Sequence, residues 1–181
     1  MNVFISLLRG INVSGKKLIK MDALTSLFEG LGYDNVSTYV QSGNVVFCTT
    51  QHNIKKIESK IYDKINEIFQ FDVPNIILVP DELQQIINDN PFLKNDDVNT
   101  EYLYFTFLSS DPKELNVEAL SKLKSEDEDF VITNRAIYLY LPNGYSRTKL
   151  TNTAIEKALN IITTTRNYNT TTALLKMANL K

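Results

Sequence analysis

Residues Gly10 to Lys17 read Gly-Ile-Asn-Val-Ser-Gly-Lys-Lys, a G-x-x-x-x-G-K-K pattern directly after an apolar run. Glycines at this spacing let backbone amides turn toward an anion, and lysines supply charge to hold it. A nucleotide-hydrolysing P-loop demands more: a hydroxyl after the lysine to hold magnesium, and a helix opening at once. Here Lys17 replaces that hydroxyl, and the next helical pattern begins only near Met21. Ile76 to Val79 followed by Pro80-Asp81-Glu82 loosely matches an apolar strand ending in a magnesium-associated carboxylate. The sheet these elements imply is antiparallel, whereas P-loop sheets are parallel. The reading that survives is anion binding by Arg9, Lys16 and the amides around Gly10 and Asn12. Its rival is a tight loop with solvated charges.

Three further segments carry a similar vocabulary. Gln41-Ser42-Gly43-Asn44 is a turn rich in hydrogen-bonding side chains. Arg147, Lys149 and Arg166, the last followed by Asn167, flank the starts of the two final helical patterns. Helix N-termini attract anions, and the arginine fork suits phosphate or carboxylate. The expected ligand-binding set is therefore Arg9, Gly10, Asn12, Lys16, Gln41, Ser42 and Asn44, with Arg147, Lys149, Arg166 and Asn167.

Other chemistry is poorly supplied. Asp81 and Glu82 are read as a helix opening, where both carboxylates suit the N-terminal dipole, rather than as an acid-base pair. His52 is the only histidine and sits in a turn composition, with no marked acid or nucleophile nearby. Cys48, the only cysteine, is read as a small buried side chain. No metal site and no cofactor are expected. Tyr102, Tyr104, Tyr138 and Tyr140 alternate on strand-like runs; they either stack bases on an open sheet or fill a half-buried face under a helix, and the second is favoured.

The charge distribution extends the anion-binding reading. The net charge of -2 hides basic ends and an acidic middle. Residues 1–20 carry four Lys/Arg and no acid; residues 21–134 carry eight Lys/Arg against twenty Asp/Glu; residues 135–181 carry seven Lys/Arg against Glu156 alone. If the two ends meet, they form one cationic face. A single cysteine suits a reducing compartment, and the expected localisation is cytoplasmic. Val3 to Leu8 is too short and lacks the basic lead of a signal peptide, and no run is long enough to span a bilayer.

The elements that must position these residues follow from periodicity. Val3 to Leu8 is apolar on both alternations, as an interior strand is. Met21, Leu24, Leu27, Phe28 and Leu31 recur at helical spacing and stop at Gly32. Val36 to Val40 and Val45 to Cys48 pair as a hairpin. Ile54, Ile57, Ile61, Ile65 and Ile68 mark an amphipathic helix, and Ile76 to Val79 a short strand. The order β-α-β-β-α-β within residues 1–80 is the ferredoxin-like pattern. Residues 81–181 read α-β-α-β-β-α-α, with Asp111-Pro112 opening a helix carried by Leu115, Ala119 and Leu123, and a polar Thr163 to Thr170 stretch feeding the last helix. This α+β C-terminal part either extends the first sheet or forms a second, smaller one. No internal sequence repeat is visible.

Several of these segments form a longer signature in order: Leu7-Leu8-Arg9-Gly10-Ile11-Asn12-Val13, Thr38 to Phe47, Asn90-Pro91-Phe92, Thr148-Lys149-Leu150-Thr151, and Thr165 to Thr170. On these the chain resembles the bacterial domain-of-unknown-function family 1697, from about Val3 to about Leu180. The resemblance implies a small cytoplasmic α/β protein of ferredoxin-like topology and no established activity. The family usually has Gly-Gly where Ser14-Gly15 stands, and a tryptophan where Tyr168 stands. The motifs favour Arg, Asn, Gln, Ser and Thr, which suits hydrogen bonding to a polar anion better than proton transfer.

Three functions follow as expectations. The first is a binding protein for a phosphate-bearing ligand, either nucleic acid or nucleotide. The second is an enzyme acting on a small anionic substrate through Arg, Lys and backbone amides. The third is a non-catalytic interaction module, in which Arg9 and Arg166 bond to the protein's own carbonyls or carboxylates.

Overall fold

The computed structural model describes residues 1–113 and 116–181, and the chain divides into two compact units. One comprises Met1–Gln84 with Ala173–Lys181; the other is Gln85–Thr172.

The first unit runs β1 (Asn2–Leu8), α1 (Met21–Gly30), β2 (Asp34–Tyr39), β3 (Asn44–Thr49), α2 (Ile54–Phe69), β4 (Asn75–Leu78) and the start of α3 (Pro80–Asn88). The strands pair antiparallel in the order β2-β3-β1-β4, which is the ferredoxin-like arrangement. Phe4, Leu8, Val45, Phe47 and Ile77 meet Leu24, Leu27 and Phe28 of α1 and Ile57, Ile61 and Ile65 of α2. The three isoleucines have no solvent exposure, and each contributes about 1.5–3 kcal/mol of apolar burial. Phe47 anchors the layer, with ring centres 5.3 Å from Phe28 and 4.7 Å from Tyr33. The opposite sheet face, with Ile5, Leu7, Val46 and Ile76, is equally buried. That accounts for the unbroken apolar run of β1. Asn53 caps α2 by accepting from the Lys56 amide, and Gln70 ends it in a left-handed conformation.

The second unit contains β5 (Leu103–Leu108), α4 (Val117–Ser121), β6 (Asp129–Ile132), β7 (Ala136–Tyr140), α5 (Asn152–Leu159), β8 (Thr163–Asn167) and the start of α6 (Tyr168–Ala178). Its strands form a separate antiparallel sheet in the order β6-β7-β5-β8. Taken in chain order, this is the same β-α-β-β-α-β arrangement as the first unit. The fold is duplicated although the sequence shows no repeat. Leu108, Ile137 and Leu139 on the sheet pack with Leu120 of α4 and Ile155 and Leu159 of α5.

Two differences from the sequence reading have physical causes. The polar Thr163 to Asn167 segment is an edge strand and not a lead-in to the last helix, so a strand separates the two helices expected to be consecutive. Its Thr163 and Thr165 hydroxyls donate to Asn152 Oδ1 at 3.1 and 2.7 Å, and the Thr163 amide donates to Glu156 at 3.0 Å. Polar partners on α5 thus replace the apolar alternation that usually marks a strand. The helix expected from Asp111-Pro112 opens instead at Val117, where Asn116 accepts from the Ala119 amide; Leu115 lies outside the described residues. No described helix is long and apolar enough to cross a membrane.

Candidate functional site

The 9–20 segment is a small closed hairpin. Val13 and Lys16 form a bridge, with the Lys16 amide donating to Val13 O at 3.0 Å, and the Asn12 amide donates to Lys17 O at 3.2 Å. Ser14 and Gly15 both have positive φ, 51° and 73°, as a two-residue hairpin turn of the mirror type requires. The backbone here is folded on itself rather than wrapped around an anion cradle.

Asn12 fixes this hairpin. Its Oδ1 accepts from the Ile19 amide at 2.8 Å, and its Nδ2 donates to Ile19 O at 2.9 Å and to Gln41 O at 2.8 Å. Both amide donors are spent on the chain itself, so Asn12 positions the loop. Asn is also among the non-glycine residues that most readily adopt its φ of 54°. Lys17 Nζ bonds the Asp72 carbonyl, and the Asp72 carboxylate engages Tyr62, raising that phenol's pKa through the hydrogen bond and then through its charge. The hairpin is thus tied down at its base, close to the end of β1, where the Arg9 amide donates to Pro74 O at 2.8 Å.

The 40–43 turn lies against the same end of the sheet. The Leu8 amide donates to Gly43 O at 2.8 Å. A Cβ on Gly43 would sit 2.7 Å from Leu8 Cβ and 2.8 Å from Ile11 Cδ1, so only glycine fits, and its φ of 76° adds the same requirement. Asn44 is fully buried, and its Nδ2 donates to Tyr39 O and Ser42 Oγ, both at 2.9 Å. Ser42 and Asn44 therefore shape the turn, while the Gln41 side chain is exposed.

Once these internal bonds are assigned, the outward features are clear. Lys16 and Lys20 are exposed, and Arg9 is half-buried. Three apolar side chains stand out beside them: Val13 at 58% exposure, Leu18 at 65% and Val40 at 51%. Val40 also has a φ of 49°, a strained value for a β-branched residue. Val13 and Leu18 are absent from the expected ligand-binding set, and Val40 is expected as the last residue of a strand, whereas β2 ends at Tyr39 and leaves Val40 in the turn. In the sequence, the signal for Val13 and Leu18 is apolar residues interrupting a lysine-rich loop that lacks a helical or strand period.

In the second unit the residues divide differently. Arg147 and Lys149 are exposed, in a loop ordered by the Arg147 amide donating to Gly144 O and the Leu150 amide donating to Thr148 Oγ1. Arg166 is 8% exposed, and its Nη1 donates to Thr164 Oγ1 at 2.8 Å and Thr165 O at 2.9 Å. Asn167 is exposed, with Oδ1 accepting from the Thr170 amide at 2.8 Å at the start of α6. It acts there as a helix cap.

The remaining candidates have plain roles. His52 is exposed and hydrogen-bonded to Asn2 at 2.7 Å; Cys48 is buried; Asp81 and Glu82 lie in the first turn of α3. Tyr138 is buried, burial pushes its phenol pKa up, and Tyr104 packs on Tyr145. The Tyr138 ring does not lie on an open stacking surface, and Tyr104 is half-buried. Among the described residues no group of three or more His, Cys, Asp or Glu side chains could hold a metal ion.

Residues 1–138 match the family described as "Protein of unknown function (DUF1697)". No curated protein matches the chain. The fold is similar to a solved structure of the conserved bacterial protein SP0830 from Streptococcus pneumoniae, at 22% identity over 98% of each chain and a TM-score of 0.74.

Proposed function

The chain belongs to this family of proteins of unknown function, and we propose that it binds a phosphate-bearing ligand, specifically nucleic acid, through the 9–20 hairpin and the adjoining 40–43 turn. One observation carries the reading: exposed Lys16 and Lys20 are interleaved with exposed Val13 and Leu18 on a hairpin bonded through Asn12 to the turn that bears exposed Val40. Lysines on a rigid scaffold contact backbone phosphates with little ordering cost. Aliphatic side chains beside them can pack on the exposed faces of unstacked bases, so single strands are the expected form. Arg9 stands at the base of the hairpin.

The test is fluorescence anisotropy with labelled single-stranded RNA, single-stranded DNA and duplex DNA at 20 mM salt. The wild-type protein is expected to bind the single strands, and Lys16→Glu/Lys20→Glu to bind about tenfold or more weakly. Both side chains are exposed, so the variant keeps the fold. Lys56→Glu/Lys60→Glu, at exposed positions of α2 and with the same change of four charges, serves as the control for net charge. Absence of binding at low salt, or equal loss in the control, contradicts the reading.

A further inference from the structure

We infer that the second unit carries a separate site for a linear aliphatic polyamine, in a cavity of about 590 Å³ beside the Asn90-Pro91-Phe92 segment. Three aromatic rings line it. Tyr140 stands with its ring centre 5.8 Å from Phe92 and 5.9 Å from Tyr102, tilted by 40° to the first and 83° to the second. The rings pack on one another along the cavity wall, and an alkylammonium bound there meets an aromatic surface.

This aromatic wall is built by local structure. Asn90 Oδ1 accepts from the Phe92 amide at 3.0 Å and opens the 3-10 turn Pro91–Lys94; Asn99 does the same for Thr100–Tyr102. The Leu141 amide donates to Tyr102 O at 2.8 Å, fixing Tyr102 beside β7.

The rest of the wall carries the opposite charge to the hairpin. Asp97, Glu126, Asp127, Glu128 and Asp129 line the cavity against Lys124 alone, five formal negative charges to one positive. Lys124 Nζ lies 3.1 Å from Glu128 O and 3.2 Å from Asp129 Oδ1. The chain's own alkylammonium, which lines the cavity, is thus held by the kind of partners the ligand would use. Asp97 and Glu126 are exposed. Aromatic walls need an aliphatic body between charges, which selects a polyamine over a hydrated divalent cation. The volume falls in the range of small-molecule sites.

Calorimetric titration of the full chain with spermidine at 20 mM salt tests the inference. Saturable binding is expected, weakened about tenfold or more in Asp97→Asn/Glu126→Gln and also weakened in Tyr102→Leu. The control Asp22→Asn/Glu29→Gln, on exposed positions of α1, is expected to bind as wild type. Should Tyr102→Leu fail to fold, the Asp97/Glu126 pair alone decides, since both side chains are solvent-exposed. Equal binding in the Asp97/Glu126 variant overturns the inference. So does magnesium displacing spermidine at matched ionic strength, or a lysine-rich peptide binding where spermidine does not.

Discussion

Asn12 and Gln41 lie 29 positions apart and are joined by one hydrogen bond, Asn12 Nδ2 to Gln41 O at 2.8 Å. The same side chain closes the hairpin through two bonds to Ile19. Asn12→Asp keeps the shape and removes both amide donors, leaving a carboxylate against two carbonyls. It is expected to lose about 2–3 kcal/mol in urea unfolding at pH 7. A loss under 0.5 kcal/mol would mean that the hairpin does not depend on this residue.

Gly43 and Gly15 share a positive φ but differ in surroundings. A Cβ on Gly43 collides with Leu8 and Ile11, whereas nothing lies within 4 Å of one on Gly15. Gly15→Ala is expected to cost about 1 kcal/mol, the left-handed penalty alone, and Gly43→Ala about 3 kcal/mol or more. Thermal unfolding of the two variants side by side checks the order, which equal losses would refute.

Arg166 is buried and bonded to Thr164 and Thr165 on its own strand. Arg166→Met is expected to cost about 2 kcal/mol of stability by stranding those acceptors. Its effect on nucleic-acid affinity is expected to stay within twofold once the folded fraction is matched. A tenfold affinity loss in fully folded protein would place the guanidinium at the ligand instead.

Tyr33 and Tyr138 both have phenol pKa values raised above 10.0, with burial the first cause in each. The unfolded chain therefore releases these protons at a lower pH than the folded one. The stability they contribute is complete below pH 10 and is lost as pH rises through the raised folded values. Tyr33 OH makes no hydrogen bond among the described residues. Tyr33→Phe is accordingly expected to be near-neutral at pH 7 and to flatten the alkaline loss, as read from denaturation midpoints between pH 9 and about 11.

The apolar skeleton was legible in the sequence. The isoleucine spacing of α2, the two-sided apolar run of β1 and the Gly43 turn reported their elements because each rests on hydrophobic burial or on glycine's freedom. β8 was not legible, because Thr163 and Thr165 are satisfied by Asn152 of α5, and hydropathy does not register such bonds. The duplicated strand order was hidden for a related reason: the first unit builds its helix layer from the long, isoleucine-lined α2, the second from the five-residue α4 and the short α5. At the candidate site, residue type alone did not separate outward groups from inward ones. Asn12, Asn44 and Arg166 bear ligand-binding groups yet bond to the chain, while Lys16, Lys20 and Arg147 face solvent.

The central claim is that Lys16 and Lys20 contact phosphates, and the salt dependence of binding tests it most directly. Each phosphate contact to a single strand contributes about 0.7 to the slope of log Kobs against log salt. Lys16→Ala/Lys20→Ala is expected to reduce that slope by about 1.4, two contacts' worth, with a matching loss of affinity at 20 mM salt. An unchanged slope in a folded double variant would contradict the account.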